Sequence, residues 1–427
     1  MRNSPVGRAR LPCRRVTGEV RYCKDVRIQM WSYNYAPEPQ GIAPLSAIVA
    51  NELMGMGHDV TVVAAHPHYP EPIWGTRLRP YREVRDGVPI LRLPIWPGRG
   101  SGLQRIRQEV SFTISQSLVA PILPAADVVL AVTPSFPALA PAMAFAHARR
   151  IPWVMWLQDI VTDGAATTGE LNEGALLRAA RRFERRTYRD ADRIVVISEA
   201  FRENLRSKGV ADDKIVRIFN PSSRPKTRPN DLNALAAEPP RILAMGNIGH
   251  SQGLDGIVDA FQENEDLERM GARLVIAGGG VAAEALKARI KSERIEMPGV
   301  LYGEELDPVL RSTSLGLVSQ RADITEFNLP SKLMHYMAYG LPVLASVRPG
   351  TETANIVEKA NAGWVTDAAD PAQFAATAAR VLADREGLRE AGRNAYEFAS
   401  TEFDSAAVAA RFEQVLLEVV ARRRGTR

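Results

Sequence analysis

The chain has 427 residues, enough for two full α/β domains, since one domain takes roughly 100–200. A hydrophobic content of 45% with 24% charged residues is that of a soluble globular protein. The net charge of +5 resides in residues 1–25, where seven Arg and Lys face two acids, so the remainder is neutral overall and does not read as a nucleic-acid binder.

In chain order, residues 1–25 read as a disordered basic arm. They lack the apolar core of a signal peptide, which predicts a cytoplasmic protein, and a start codon assigned too far upstream would look the same. Cys13 and Cys23 both lie in this arm with no His nearby, which supports neither a zinc site nor a disulfide framework. From residue 26 to 220, strand signals at Val26–Ser32, Asp59–Ala64, Val88–Leu93, Asp127–Val132, Trp153–Leu157, Arg193–Ile197 and Lys214–Ile218 alternate with helical periodicity. Residues 221–240 hold Pro225, Pro229 and Pro239 among polar residues and read as a linker. The alternation restarts over residues 241–400, with strands at Arg241–Met245, Arg273–Ala277, Ser314–Ser319, Pro342–Ser346 and Ala362–Thr366. Residues 401–427 are predicted as a C-terminal helix that packs back on the first domain. The fold class is therefore α/β, two doubly wound Rossmann-like domains facing across a cleft. No run of 18 apolar residues occurs, which excludes an ordinary spanning helix.

Three segments carry candidate chemistry. Residues 328–346 read as loop, short helix and buried strand, with Asn328 as cap, Pro330 in the first turn and Lys332 adding a charge, so that N–H groups around Ser331 face one anion. Residues 246–253 follow a buried strand with the spacing G-x-x-G-x-x-x-G, which is neither a dinucleotide fingerprint nor a P-loop and points to another phosphate ligand. Residues 34–41 leave the first strand and open a helix, placing Gly41 where backbone approaches a phosphate. Each segment alone also reads as an ordinary connection in an α/β sheet.

Together these segments resemble the GT-B glycosyltransferases of family 4, in particular the exopolysaccharide branch typified by colanic acid biosynthesis glycosyltransferases. The resemblance spans nearly all of residues 26–400 and rests on Asn34-Tyr-Ala-Pro-Glu38, Gly57-His-Asp-Val-Thr-Val-Val63, His66-Pro-His-Tyr-Pro70, Gln158-Asp159, Ala191–Ser198, Asn220-Pro221, Gly246-Asn-Ile-Gly249 with Gln252-Gly253, and Leu329-Pro-Ser-Lys-Leu333. It implies a retaining, metal-independent enzyme that needs no cofactor and moves a sugar from a nucleotide diphosphate donor to an acceptor hydroxyl. The acceptor it implies is a lipid-linked saccharide or another saccharide in exopolysaccharide, capsule or lipopolysaccharide assembly. The second domain would hold the donor through Gly246, Asn247, Gly249, Gln252, Arg321, Pro330, Ser331 and His335, with Gly41 closing on the diphosphate from the first domain. Lys332 and Asp159 would act at the catalytic centre, and Asn34 and His66 would meet the acceptor.

The chain departs from the commoner family pattern, which has Arg at the place of Asn247, Lys at Gln252 and Glu at His335. Lys332, helped by Arg321, is then the replacement cation. Glu326 has the wrong spacing for the family's acidic pair, and Glu352, near the next helix start, reads as a helix-start acid in preference to a ligand. His66 and His68 either orient a sugar hydroxyl or sit in a Pro-rich loop. Residues 77–107 hold eight Arg against two acids and precede the largely apolar Val110–Leu123, a pattern that fits either a peripheral anionic-membrane contact or a core helix. The competing functions are a nucleotide-sugar epimerase and a non-catalytic nucleotide-sugar binder on the same fold.

Overall fold

A computed structural model of the chain describes residues 26–39, 41–69, 74, 77–96, 98, 102–133, 135–159, 175–222, 239–301, 305–323 and 329–425. The basic arm, most of the linker, Glu326 and Asn328 lie outside the described residues.

The N-terminal lobe is an eight-stranded sheet of β1 (Arg27–Ser32), β2 (Asp59–Ala65), β3 (Tyr81–Arg85), β4 (Val88–Leu93), β5 (Val128–Val132), β6 (Trp153–Leu157), β7 (Arg193–Val196) and β8 (Ile215–Arg217). Its strand order is β3-β4-β2-β1-β5-β6-β7-β8. All pairings are parallel except β3 with β4. Strand β6, Trp-Val-Met-Trp-Leu, is buried at all five positions because helices cover both faces of a parallel sheet, which is why it reads as a continuous apolar run. The β3–β4 hairpin turns at Asp86 and Gly87 with φ of 50° and 86°, the two positive values that a tight two-residue hairpin needs. The lobe's helices are α1 (Ile42–Gly55), α2 (Gly102–Val119), α3 (Leu139–Arg149), α4 (Ala175–Asp190) and α5 (Glu199–Ser207).

The C-terminal lobe carries a six-stranded, all-parallel sheet of β9 (Arg241–Asn247), β10 (Arg273–Gly279), β11 (Ile295–Gly299), β12 (Leu315–Ser319), β13 (Val343–Val347) and β14 (Gly363–Asp367), in the order β11-β10-β9-β12-β13-β14. Its helices are α6 (Leu254–Glu263), α7 (Glu265–Arg269), α8 (Ala283–Arg289), α9 (Leu306–Arg311), α10 (Ser331–Ala338), α11 (Glu352–Lys359), α12 (Pro371–Ala383) and α13 (Arg385–Glu402). The chain crosses between lobes near Ser222, whose N–H donates to Phe403 O at 2.7 Å. After α13 it crosses back, and α14 (Ser405–Gly425) places Val408, Phe412, Val415 and Leu416 in the core of the N-terminal lobe. Phe412 meets the Trp156 ring edge-on at 4.7 Å, and Glu413 accepts from His58 Nε2 at 2.8 Å.

The carboxyl edges of the two sheets face each other. Glu352 opens the helix after β13, and its Oε2 accepts the N–H of Glu199, which opens the helix after β7, at 2.6 Å. Arg217, stacked on Phe219 at 4.4 Å, lies 3.6 Å from the same carboxylate. Glu352 is thus a helix-start acid that caps a helix of the opposite lobe.

Candidate active site

In the C-terminal sheet the strand order reverses between β9 and β12, the switch point at which open α/β sheets leave a crevice beyond their carboxyl ends. The two strands pair only at Leu315 with Ile242 and Gly316 with Leu243 before they part. The phenol of Tyr336 fills the gap, donating to Leu243 O at 2.8 Å and accepting from Met245 N at 3.0 Å. A Cβ at Gly316 would stand 2.6 Å from that ring, so the strand must carry glycine there. Helix α10 is in this way bolted to the strand that delivers the glycine loop.

The glycine segment begins at the end of β9 with Gly246, whose φ of 107° is a left-handed value, leaves the strand after Asn247 and runs through Gly249 to Gly253 at φ 62°, the cap of α6. A second glycine run, Gly278–Gly280, nests against it. A Cβ on Gly278 would lie 1.8 Å from Gly246 O, and one on Gly280 2.5 Å from both Asn247 Oδ1 and Ile248 O. Sequence reasoning missed these residues as part of the site, although three consecutive glycines at a strand end are the available signal.

Lys332, in the first turn of α10, extends its ammonium to Gln252 Oε1 at the far end of the loop. Segments 80 positions apart thereby share one point. Lys332 is half-buried, and loss of solvent alone lowers its pKa to about 8. Among the described residues no ion pair compensates this cation. Helix α10 also has no acid in its first turn and no side-chain cap, so its first N–H groups and Lys332 offer donors and positive charge together.

The helix starts at Ser331, with Pro330 in the cap position at φ −62°, ψ 126°. This corrects the expectation that Asn328 caps the helix and Pro330 lies in its first turn: extended backbone at Pro330 shifts the start by two residues. Ser331 is exposed, and its carbonyl accepts from His335 Nδ1 at 2.8 Å, which leaves Nε2 as that ring's other polar atom. Arg321 donates its N–H to Ser251 O at 2.9 Å and packs its stem by Gly253, so it buttresses the loop. Its guanidinium pairs with Asp323 at 2.7 Å, which holds that carboxyl below its usual range.

Across the cleft, Gly41 caps α1 at φ 66°, ψ −138°, with nothing within 4 Å of where a Cβ would sit. Helix α1 likewise lacks a side-chain cap and an acid in its first turn. Asp159 stands exposed beyond the end of β6. Its neighbour Gln158 exchanges hydrogen bonds with Asn220 at 2.7 and 3.0 Å, tying the ends of two strands.

Asn34 and His66 do not present themselves to an acceptor. Asn34 is 7% exposed and its amide is spent on Glu38 and His68, while His66 is 3% exposed, with its ring 5.1 Å from that of Tyr81. Burial lowers the His66 pKa, keeping the ring neutral. Both histidine rings are packed inside the lobe, His66 against Tyr81 and His68 in hydrogen bonds with Asn34 and His66, a burial that neither histidine reading anticipated. Among the described residues, no group of three or more His, Cys, Asp or Glu side chains is placed to hold a metal ion.

Comparison with known proteins assigns the architecture. Residues 40–221 match the family described as glycosyl transferase 4-like domain, and residues 239–384 match glycosyl transferases group 1. The putative colanic acid biosynthesis glycosyl transferase WcaI of Escherichia coli K12 is 26% identical over 351 residues, covering 78% of this chain and 86% of that protein. Anabaena Alr3699/HepE, solved in complex with UDP and glucose, superposes with a TM-score of 0.63 at 15% identity, over 92% of this chain and 99% of that one. Sucrose-phosphate synthase from Thermosynechococcus elongatus does so with a TM-score of 0.67 at 16% identity, over 93% and 100%. With both family domains in order on two doubly wound lobes, the chain belongs to the GT-B glycosyltransferases of family 4.

Proposed function

We propose that this glycosyltransferase takes a sugar from a nucleoside diphosphate donor held in the C-terminal lobe and passes it, with retention and without a metal, to a hydroxyl of a lipid-linked saccharide in polysaccharide assembly. The observation that carries the donor side is the half-buried Lys332 ammonium, held among the described residues by a neutral amide, at the start of a helix without a side-chain cap and facing a glycine loop. In the reaction the bond from the anomeric carbon to the phosphate oxygen breaks and the acceptor oxygen bonds that carbon. As the bond to carbon breaks, the phosphate oxygen gains negative charge in the transition state, and it then takes the proton of the acceptor hydroxyl, which neutralises that added charge. Lys332 and the N–H groups of α10 and the glycine loop stabilise the transition-state charge. Asp159 is the proposed cleft-side acid of the first lobe, and Gly41 approaches the same diphosphate through the α1 N-terminus.

Incubation with labelled UDP- and GDP-sugars tests this reading. Nucleotide release that rises with an added lipid-linked acceptor is the expected result, and binding without turnover under any acceptor would reduce the chain to a nucleotide-sugar binder.

The acceptor side includes the membrane. Helix α2 buries Gln108 and Gln116 beside Phe112, while Ile106, Val110, Ile114 and Leu118 form an exposed stripe at i+4 spacing that continues to Ile122. Leu118 and Ile122 are 74% and 80% exposed. Arg107 lies over the half-exposed Trp96 ring at 5.0 Å, and the adjacent hairpin region exposes Arg77, Arg79 and Arg82. Apolar side chains with a basic collar fit an anionic leaflet. Among the described residues no helix is long and apolar enough to cross a membrane, so the contact would be peripheral. In flotation, the protein is expected to rise with phosphatidylglycerol vesicles and stay behind with phosphatidylcholine. Leu118→Asp and Ile122→Asp should each weaken vesicle binding roughly tenfold, since a buried aliphatic side chain contributes about 1.5–3 kcal/mol. Equal flotation of the variants would remove α2 from the contact.

A further inference from the structure

One buried carboxylate locks the loop that ends at Gly41 to the loop after β2. Glu38 is 2% exposed. Its Oε1 accepts the N–H groups of His68 at 2.7 Å and Tyr69 at 3.0 Å, and its Oε2 accepts Asn34 Nδ2 at 2.7 Å. The same Asn34 amide reaches His68 Nε2 at 3.3 Å, while His68 Nδ1 donates to His66 O at 2.9 Å. From the other side the fully buried Arg92 donates Nη2 to Ala36 O and Nη1 to Ala65 O, the latter at 3.1 Å. The loop is therefore clamped by a cation on its carbonyl and by its own carboxylate on a neighbouring loop. Burial leaves the Glu38 pKa above the usual carboxylate value, and the hydrogen bonds from His68, Asn34 and Tyr69 offset that only in part.

Among the described residues only donors converge on these two oxygens, so the position calls for a group that accepts and does not donate. Such a network does more than fill space. It fixes the backbone leading into Gly41, whose φ of 66° sets where the first N–H groups of α1 point.

We propose that Glu38 is a positioning residue for donor capture, holding residues 33–39 ahead of Gly41 so that the α1 N-terminus meets the diphosphate. This rests on the reading above that the diphosphate lies against Gly41. Glu38 touches no reacting atom and acts through the backbone it holds. Glu38→Gln puts an amide N–H₂ where every partner is a donor, and the loop loses its register.

The test is steady-state kinetics on the full chain with thermal melting alongside. Glu38→Gln is expected to raise KM for the nucleotide sugar about tenfold, with kcat within threefold of wild type. Asn34→Asp combined with Glu38→Gln moves the acceptor to the other end of the same hydrogen bond, with His68 taking a second proton at Nε2 to donate to the new carboxylate, and at about pH 6 should return KM to within threefold of wild type. An unchanged KM in Glu38→Gln, or a loss confined to kcat and Tm, would overturn the proposal. Should Glu38→Gln not fold, a folded double variant with wild-type KM supports the proposal, and one with a raised KM overturns it. Titration with UDP and GDP separates the levels. No heat from wild type sinks the donor-site reading, whereas equal heat from wild type and Glu38→Gln sinks this inference alone.

Discussion

Lys332→Ala is expected to lower kcat/KM for the donor by roughly 30- to 1,000-fold, because a charge-assisted contact to a leaving diphosphate is worth about 2–4 kcal/mol in the transition state. Folding should scarcely suffer. The ammonium has no ion-pair partner among the described residues, so its removal breaks no ion pair and relieves a desolvated charge. The pH dependence has a definite sign. Burial lowers the Lys332 pKa to about 8, below the ordinary lysine value of 10.5, so the free enzyme carries the charge below about pH 8 and loses it above. Because kcat/KM reports groups of the free enzyme, it should be flat below that point and fall about tenfold per unit above it. Stability moves the other way. A lysine pKa depressed by folding penalises the folded state while the group is charged, and the penalty fades as pH rises from about 8 towards 10.5. Lys332→Arg, charged throughout, should retain a flat profile at reduced activity. Unaltered kinetics in Lys332→Ala would exclude this residue from the diphosphate site.

The parts of this fold that were legible are those where burial on two faces leaves one solution. Trp153–Leu157 and Val343–Val347 are central strands and read as apolar runs. Strands β3 and β11 were not predicted. Tyr81-Arg-Glu-Val-Arg85 has no buried position, and Ile295–Gly299 carries Glu296 and Pro298, so neither edge strand shows a strand's pattern. For β3 the Asp86-Gly87 turn was the usable cue. The site was legible as separate motifs and illegible as a constellation. Nothing in the spacing of Gln252 and Lys332 says that they touch, because sheet order and the crossing of Tyr336 decide it. The same holds for Asn34 and His66. Their polarity read as surface chemistry, whereas the structure buries one in the Glu38 network and the other against Tyr81. In α2 the i+4 spacing could be read, but which stripe faces outward depends on what covers it.

Tyr336→Phe isolates the device that joins α10 to the glycine loop. It leaves ring packing against Gly316 in place and removes only the hydroxyl, so Leu243 O loses a donor and Met245 N an acceptor at a point where the neighbouring strand has already diverged. A buried group left without its partner costs about 1–3 kcal/mol. With Leu243 O buried and Met245 N partly so, a total near 2–3 kcal/mol is expected, read as a lower denaturant midpoint at constant m. Burial also holds the phenol protonated far above neutral pH, so this effect should not vary between pH 6 and 9. Function should follow through geometry. Met245 is the last residue before Gly246, and freeing its N–H lets the loop shift relative to Lys332, which should raise KM for the donor more than it lowers kcat. A change in stability below about 0.5 kcal/mol would mean that water or strand backbone satisfies both groups. The rigid link between helix and loop, on which the anion cradle depends, would then have to lie elsewhere.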